Sequence, residues 1–500
     1  MEWLGALDAQ GWEFARQALQ RGIAAVFAVA FLSTVLQFPA LLGEHGLLPV
    51  PDFLRRAYAR RQPTLFRWHY SDGMLRAVCV AGILVSLALV AGIPQLGPPW
   101  VPMVCFLALW FGYLSITNVG QTFYGFGWEM LLVEAGFVAA FLGSNRTAPP
   151  VLVLWFFWWL IIRLEVGAGL IKLRGGREWR DLTALMYHHE TQPMPNPLSR
   201  RAHLLPAWFH RVEVVGNHVA QFGAPLVLLL PQPVGAVGAG LIILTQLWLV
   251  LTGNFAWLNW ITIVLAFAGI SDAVARAVLP VIPPTPDYEP TPLWWSVTVI
   301  VVVAGLVVLS WPPLKNLFSR RQLMNASFNR FHLVNAYGAF GTVTRAREEI
   351  VVEGTTDGRS WTEYEFRGKP GDVHRIPGWF APYHLRLDWL MWFLALGSRS
   401  EDWFFAFLVR LLEADRPTLR LLAHDPFAGD PPLAVRARRY RYRFARREER
   451  GPDSAVWVRE DRGMLVPAIT LRGPEDADVA GDPGDAGGPG AGARDAGDGS

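Results

Sequence analysis

Charge is scarce in this chain: Asp, Glu, Lys and Arg make up 17% of its 500 residues, where a soluble domain carries about 25%. Cysteine is scarcer still. The only two, Cys79 and Cys105, fall inside apolar runs and form no CxxC pair, which excludes a disulfide scaffold and a thioredoxin-type redox site. A net charge of +3 leaves no basic footprint for nucleic acid, and none is expected as a partner. Neither a GxSxG elbow, a P-loop nor a dinucleotide fingerprint occurs, so the familiar soluble-enzyme sites are missing. The first twenty residues hold Glu2, Asp8 and Glu13 and end in no small-residue cleavage site. A cleaved signal peptide is therefore not expected.

What is present is apolar and aromatic: 52% of residues are hydrophobic and 23 are Trp, a balance suited to a hydrocarbon solvent with rings at its interfaces. Crossing about 30 Å of hydrocarbon takes roughly 20 apolar helical residues. That criterion predicts about nine spans within a bundle over 22–311, near Gly22–Leu42, Met74–Ile93, Trp100–Thr117, Gly127–Gly143, Val151–Leu173, Val212–Leu230, Val234–Leu251, Phe255–Ile270 and Leu293–Trp311. Ahead of them 1–21 reads as an interfacial segment, with Trp12, Ala15 and Leu19 at helical spacing. Arg55, Arg56, Arg60, Arg61 and Arg67 follow the first span, and Arg174, Arg177, Arg180, Arg200 and Arg201 follow the fifth. Nine spans put both loops on the side of the C-terminal domain, which the positive-inside rule makes cytoplasmic. Arg146 and Arg276 are nearly all that face them.

Past Trp311 the texture changes to that of a soluble, β-rich α+β domain over 325–472. Ile350–Glu353 and Trp361–Phe366 flank Asp357-Gly358, a strand–turn–strand pattern. Leu387–Leu396 and Trp403–Leu412 read as amphipathic helices, and Tyr440, Tyr442 and Phe444 alternate with Arg441 and Arg443 as in a half-buried strand. Residues 473–500 are Gly, Ala, Asp and Pro with almost nothing to bury, and are expected to be disordered.

Charged groups inside spans carry an insertion penalty of roughly 2.5–3.5 kcal/mol each. Glu129 and Glu134 stand in the fourth span, Arg163, Glu165 and Lys172 in the fifth, and Glu213, Asn217 and His218 open the sixth. Two readings stay open. The residues pair to fasten the bundle, or they line a polar chamber between spans four, five and six. His188 and His189 invite a metal, but adjacent histidines rarely chelate one ion and no matching Cys or His spacing flanks them. No metal and no cofactor are expected. The following Pro193, Pro195 and Pro197 stiffen a loop read as lying along the membrane surface.

Longer strings carry a resemblance. Asn118-Val-Gly-Gln-Thr-Phe-Tyr-Gly-Phe-Gly-Trp-Glu129, Arg163-Leu-Glu-Val-Gly-Ala-Gly-Leu-Ile-Lys172, Tyr187-His-His-Glu-Thr-Gln-Pro193, Val334-Asn-Ala-Tyr-Gly338, Ala381-Pro-Tyr-His384 and Arg386-Leu-Asp-Trp389 resemble the lipase maturation factor family. The resemblance implies a non-enzymatic, membrane-embedded factor that helps exported client proteins such as lipases reach an active, assembled state. Its eukaryotic members sit in the endoplasmic reticulum membrane with the C-terminal domain facing the lumen and the client. A bacterial chain, which the Ala, Gly, Arg and Pro content suggests, would sit in the cell membrane. Client contact would fall on aromatic positions such as Trp379, Phe380 and Trp392, and on His384. On this reading a chain cut after Asn325 keeps a stable bundle and loses client maturation.

A shorter match supplies the alternative. Ala168-Gly-Leu-Ile-Lys-Leu173 followed by Trp179 is similar to a segment of the vitamin K-dependent carboxylases and the transmembrane domain they share with horizontally transferred relatives. There the lysine matching Lys172 is the catalytic base, and Glu165 or Glu213 would tune it toward a lipid-soluble substrate. A transporter is disfavoured, because no repeated pair of broken helices stands out.

Overall fold

The computed structural model describes residues 7–397, 402–446, 448–449 and 455–471. The expected disordered tail lies outside the described residues.

Among the described residues, six helices are long and apolar enough to cross a membrane. Five of them are α1 (Glu13–Leu42), α2 (Asp72–Ala91), α3 (Trp100–Val119), the α5 helix named below and a later one at Val234–Thr252; the sixth runs over Leu293–Phe318. Their ends carry ordinary signals. The Ser71 hydroxyl caps α2 by accepting from the Met74 amide at 3.1 Å, and Gly92 ends it at φ +82°, a left-handed conformation that suits glycine. α1 is buried along most of its length, with Phe27 and Phe31 meeting Tyr113 of α3 edge-on at 5.9 and 5.3 Å.

The count of nine spans is not confirmed: among the described residues six helices pass by length and composition, or up to seven if one bent pair is a single span. The fourth expected span is α4 (Gly127–Ala139), 13 residues long and buried nearly throughout. It is apolar because it lies inside protein, which composition alone cannot tell from facing lipid. The next, α5 (Val151–Arg174), spans as expected. A short α6 (Leu185–Thr191) follows it. The sixth expected span is broken: α7 (Ala207–His218) runs into a π-helical turn at Val219–Gly223 and a short helix at Ala224–Leu228. After α8 (Val234–Thr252), the eighth expected span becomes α9 (Leu258–Ala266) with a 3₁₀ turn, bent by 112° from α10 (Asp272–Val278). The last spanning helix begins as α11 (Leu293–Leu309).

Beyond it lie a long linker, the helices α12 (Arg386–Ala395) and α13 (Asp402–Leu412), one further helical turn at Arg416–Leu419, and a four-stranded sheet. Its order is β2-β1-β3-β4, all antiparallel: β1 (Arg347–Thr355), β2 (Thr362–Glu363), β3 (Ala434–Phe444) and β4 (Trp457–Ile469). The Asp357-Gly358 turn joins β1 to β2 as expected, with Glu353 opposite Glu363. On β3, Tyr442 and Phe444 are buried while Arg441 and Arg443 are exposed. β4 was not foreseen, because its middle reads Arg459-Glu-Asp-Arg462, as suits a charged edge.

Both arginine-rich loops lie against this C-terminal region. Arg410 donates to the His45 carbonyl at 2.7 Å, Arg330 to that of Arg61 at 3.3 Å, and Arg200 to that of Ala445 at 2.6 Å. The Pro193–Pro197 loop, expected along the membrane surface, is enclosed by protein on most sides. It is buried between bundle and sheet, where its carbonyls need donors and its prolines can supply none. Arg347 of β1 provides them, reaching the carbonyls of Glu190 and Pro193 at 2.9 Å each and that of Gln192. Glu349 balances Arg347 at 2.6 Å and Lys369 at 3.0 Å.

Candidate functional site

The intramembrane polar residues divide into two sets, so each of the two open readings describes part of them. The first set fastens the two halves together. Because α4 is enclosed on all sides, its carboxylates must find partners inside protein. Glu134 pairs with Arg163 of α5, and both are wholly buried. The linker completes the site: the Asn335 amide and side chain reach Glu134 at 2.9 and 3.0 Å, the Tyr337 hydroxyl at 2.7 Å, and Arg163 donates to the Asn335 carbonyl at 2.7 Å. Glu129 accepts from Arg386 of α12 at 2.7 Å and from the Tyr113 hydroxyl at 2.5 Å. The Arg386 guanidinium lies 3.5 Å from the Tyr124 ring centroid. His384 Nδ1 is 3.4 Å from Glu129. Burial, and then the Arg386 charge, push the His384 imidazole down to about 4.

The second set lines a cavity of about 760 Å³ between α5, α7, α8, the linker and α12. Lys172 donates to Asn217 at 3.0 Å and sits 4.6 Å from the Trp179 ring centroid. Asn217 in turn donates to Gln221 at 3.1 Å. Glu165 accepts from Gln246 at 3.1 Å, and Gln246 accepts from Asn259 at 2.6 Å. His218 stands apart, 3.3 Å from the Trp179 carbonyl. Trp392 borders the cavity and donates to the Thr191 carbonyl at 3.0 Å.

Glu213 sits on the cavity wall but faces a different group. Its carboxylate meets His189 of α6 at 3.3 Å, His210 one turn back on α7 at 2.7 Å, and the Trp248 indole N–H at 2.6 Å. His188 points elsewhere, stacked on Phe255 at 5.8 Å, and burial pushes it down to about 3.

Among the client-contact candidates, His384 is fully buried among Phe126, Trp128, Trp257 and Trp389 and offers no surface to a partner. Phe380 is half-buried, its amide donating to Asn254 at 2.9 Å. Trp379 is 51% exposed, beside an exposed Ile376. Arg386, Asn335 and Tyr337 stood in the quoted strings, but nothing in a sequence tells which carboxylate each one meets. His210 was missed altogether, although a His and a Glu three apart on one helix was a signal.

These features define a polytopic membrane protein whose C-terminal region is bolted into its bundle by buried ion pairs beside an internal cavity. The chain belongs to the lipase maturation factor family. The sequence model of the lipase maturation factor transmembrane domain matches residues 14–277, and that of the lipase maturation factor C-terminal domain matches 333–467. Lipase maturation factor 1 of Homo sapiens is 38% identical, covering 91% of this chain and 88% of its own length. The Bos taurus protein is 37% identical over 92% and 90%, and lipase maturation factor 2 of Gallus gallus 30% identical over 92% and 82%. No solved structure matches. Nothing in these matches supports the carboxylase reading.

Proposed function

We propose that this chain is a multi-pass membrane factor for the maturation of lipases, acting on exported enzymes rather than performing a reaction of its own. The observation that carries the reading is the match of both halves to one family, at 38% identity across 91% of the chain. The C-terminal region meets the client, and the half-exposed Trp379 with Ile376 belongs to the contact surface. Lys172 and Glu165 line the cavity as polar wall groups. The membrane is the cell membrane in a bacterial host and that of the endoplasmic reticulum in a eukaryotic one.

The test is co-expression with an exported lipase of the same source, measuring activity per mass of exported enzyme. The chain should raise that specific activity, and Trp379→Ala should reduce the gain at unchanged thermal stability. No difference in specific activity with and without the chain would sink the proposal.

A further inference from the structure

The helices α6 and α7 bring His189 of one to His210 and Glu213 of the other. His189 Nε2, His210 Nδ1 and a Glu213 oxygen all lie within 4.8 Å of one another, the histidines buried and the glutamate nearly so. We propose that these residues bind one divalent transition-metal ion, zinc by the class of its ligands.

The geometry around His210 carries the argument. Its Nε2 is 3.3 Å from the His203 carbonyl, a contact that holds the ring's orientation. Its Nδ1 faces Glu213 Oε2 at 2.7 Å. A ligating histidine whose second nitrogen donates to a backbone carbonyl is the usual support for a metal. His189 Nε2 is 3.3 Å from Glu213 Oε1, about the donor–donor spacing set by one tetrahedral zinc with bonds near 2.0–2.2 Å, while His210 Nδ1, at 2.7 Å from Oε2, has to draw back by roughly half an ångström to share the ion. Trp248 donates to Oε1 at 2.6 Å and fixes the carboxylate plane. Glu213 also borders the cavity, so water or a cavity ligand has access to a fourth position. The ion would clasp α6 to α7, and with them the buried loop that Arg347 ties to β1.

The competing reading is a direct hydrogen bond from His210 to the Glu213 carboxylate, and metal analysis separates the two. Full-length protein, purified in detergent and stripped with chelator, is titrated with zinc against a fluorescent zinc indicator. One ion per chain is expected, weakened at least about tenfold in His210→Ala and in Glu213→Gln, and unchanged in His424→Ala, a surface histidine. Cobalt loading of the unmutated chain keeps the test free of folding defects in the variants: strengthened visible bands of low-coordinate cobalt are expected. A bare aquo-ion spectrum, zinc uptake indifferent to both variants, or magnesium competing equally would each overturn the proposal.

Discussion

At the scale of single residues, the buried carboxylates decide what the molecule can lose. Glu134 and Arg163 have no solvent to fall back on, and removing one partner strands the other charge. Arg163→Met should therefore cost about 3–5 kcal/mol, and the double change Arg163→Met with Glu134→Leu considerably less. Thermal unfolding in detergent checks this; equal losses for the single and double variants would contradict it. His384 gives a pH dependence of definite sign. Its unfolded value is 6.5 and its folded value about 4, so between them the unfolded chain holds the extra proton and acidification weakens the fold. The loss should approach about 1.4 kcal/mol per pH unit over that window and be absent above it. His384→Asn should flatten the slope of melting temperature against pH between about 6.5 and 4; an unchanged slope would rule His384 out. Of these side chains the sequence announced the intramembrane ones, because a charge in an apolar run stands out. It could not announce partners two hundred residues away, such as Asn335 for Glu134 or Arg386 for Glu129.

At the scale of elements, legibility followed what faces lipid. Long helices with one environment, such as α2 and α3, were readable to within a few residues. α4 and α9 carry the apolar texture of spans, because a helix enclosed by protein is as apolar as one enclosed by lipid, but at 13 and 9 residues they fall short of the usual spanning length, and α9 passes only together with the bent α10. The strands of the sheet were legible where one face is buried and missed where the edge is charged. One contact between elements was beyond any pattern: α5 approaches the linker so closely at Gly167 that a Cβ there would stand 2.6 Å from the Tyr337 carbonyl oxygen. Backbone cannot move aside as a side chain can, so Gly167→Ala should cost about 1–3 kcal/mol through overpacking. It should also loosen the linker that serves Glu134, seen as faster amide hydrogen exchange over residues 333–338. Exchange unchanged there, with stability intact, would mean the linker accommodates the methyl group.

At the scale of the whole molecule, two predictions depend on how the halves meet. A lipase maturation factor has to reach an exported client, so a cysteine at exposed Ser360 should react with an impermeant thiol reagent from the exoplasmic side. The arginine count points the other way. Several of these arginines are, however, fixed by the fold, Arg174 on the Leu317 carbonyl and Arg200 on that of Ala445. Labelling only after permeabilisation would place the C-terminal region in the cytoplasm and contradict the client reading. The second prediction revises the idea of an autonomous bundle. Truncation after Asn325 removes Asn335 and Tyr337 from Glu134, and removes both His384 and Arg386 from Glu129. Glu134 keeps Arg163, but Glu129 keeps only the Tyr113 hydroxyl. A buried carboxylate without its cation is costly, and the apolar faces that covered α12 are bared as well. The truncated chain should therefore be poorly dispersed and melt well below the full chain. Adding Glu129→Gln should restore part of the difference, because the amide needs no counter-charge. A truncated bundle that is monodisperse, melts like the full chain and gains nothing from Glu129→Gln would show that the two halves fold independently.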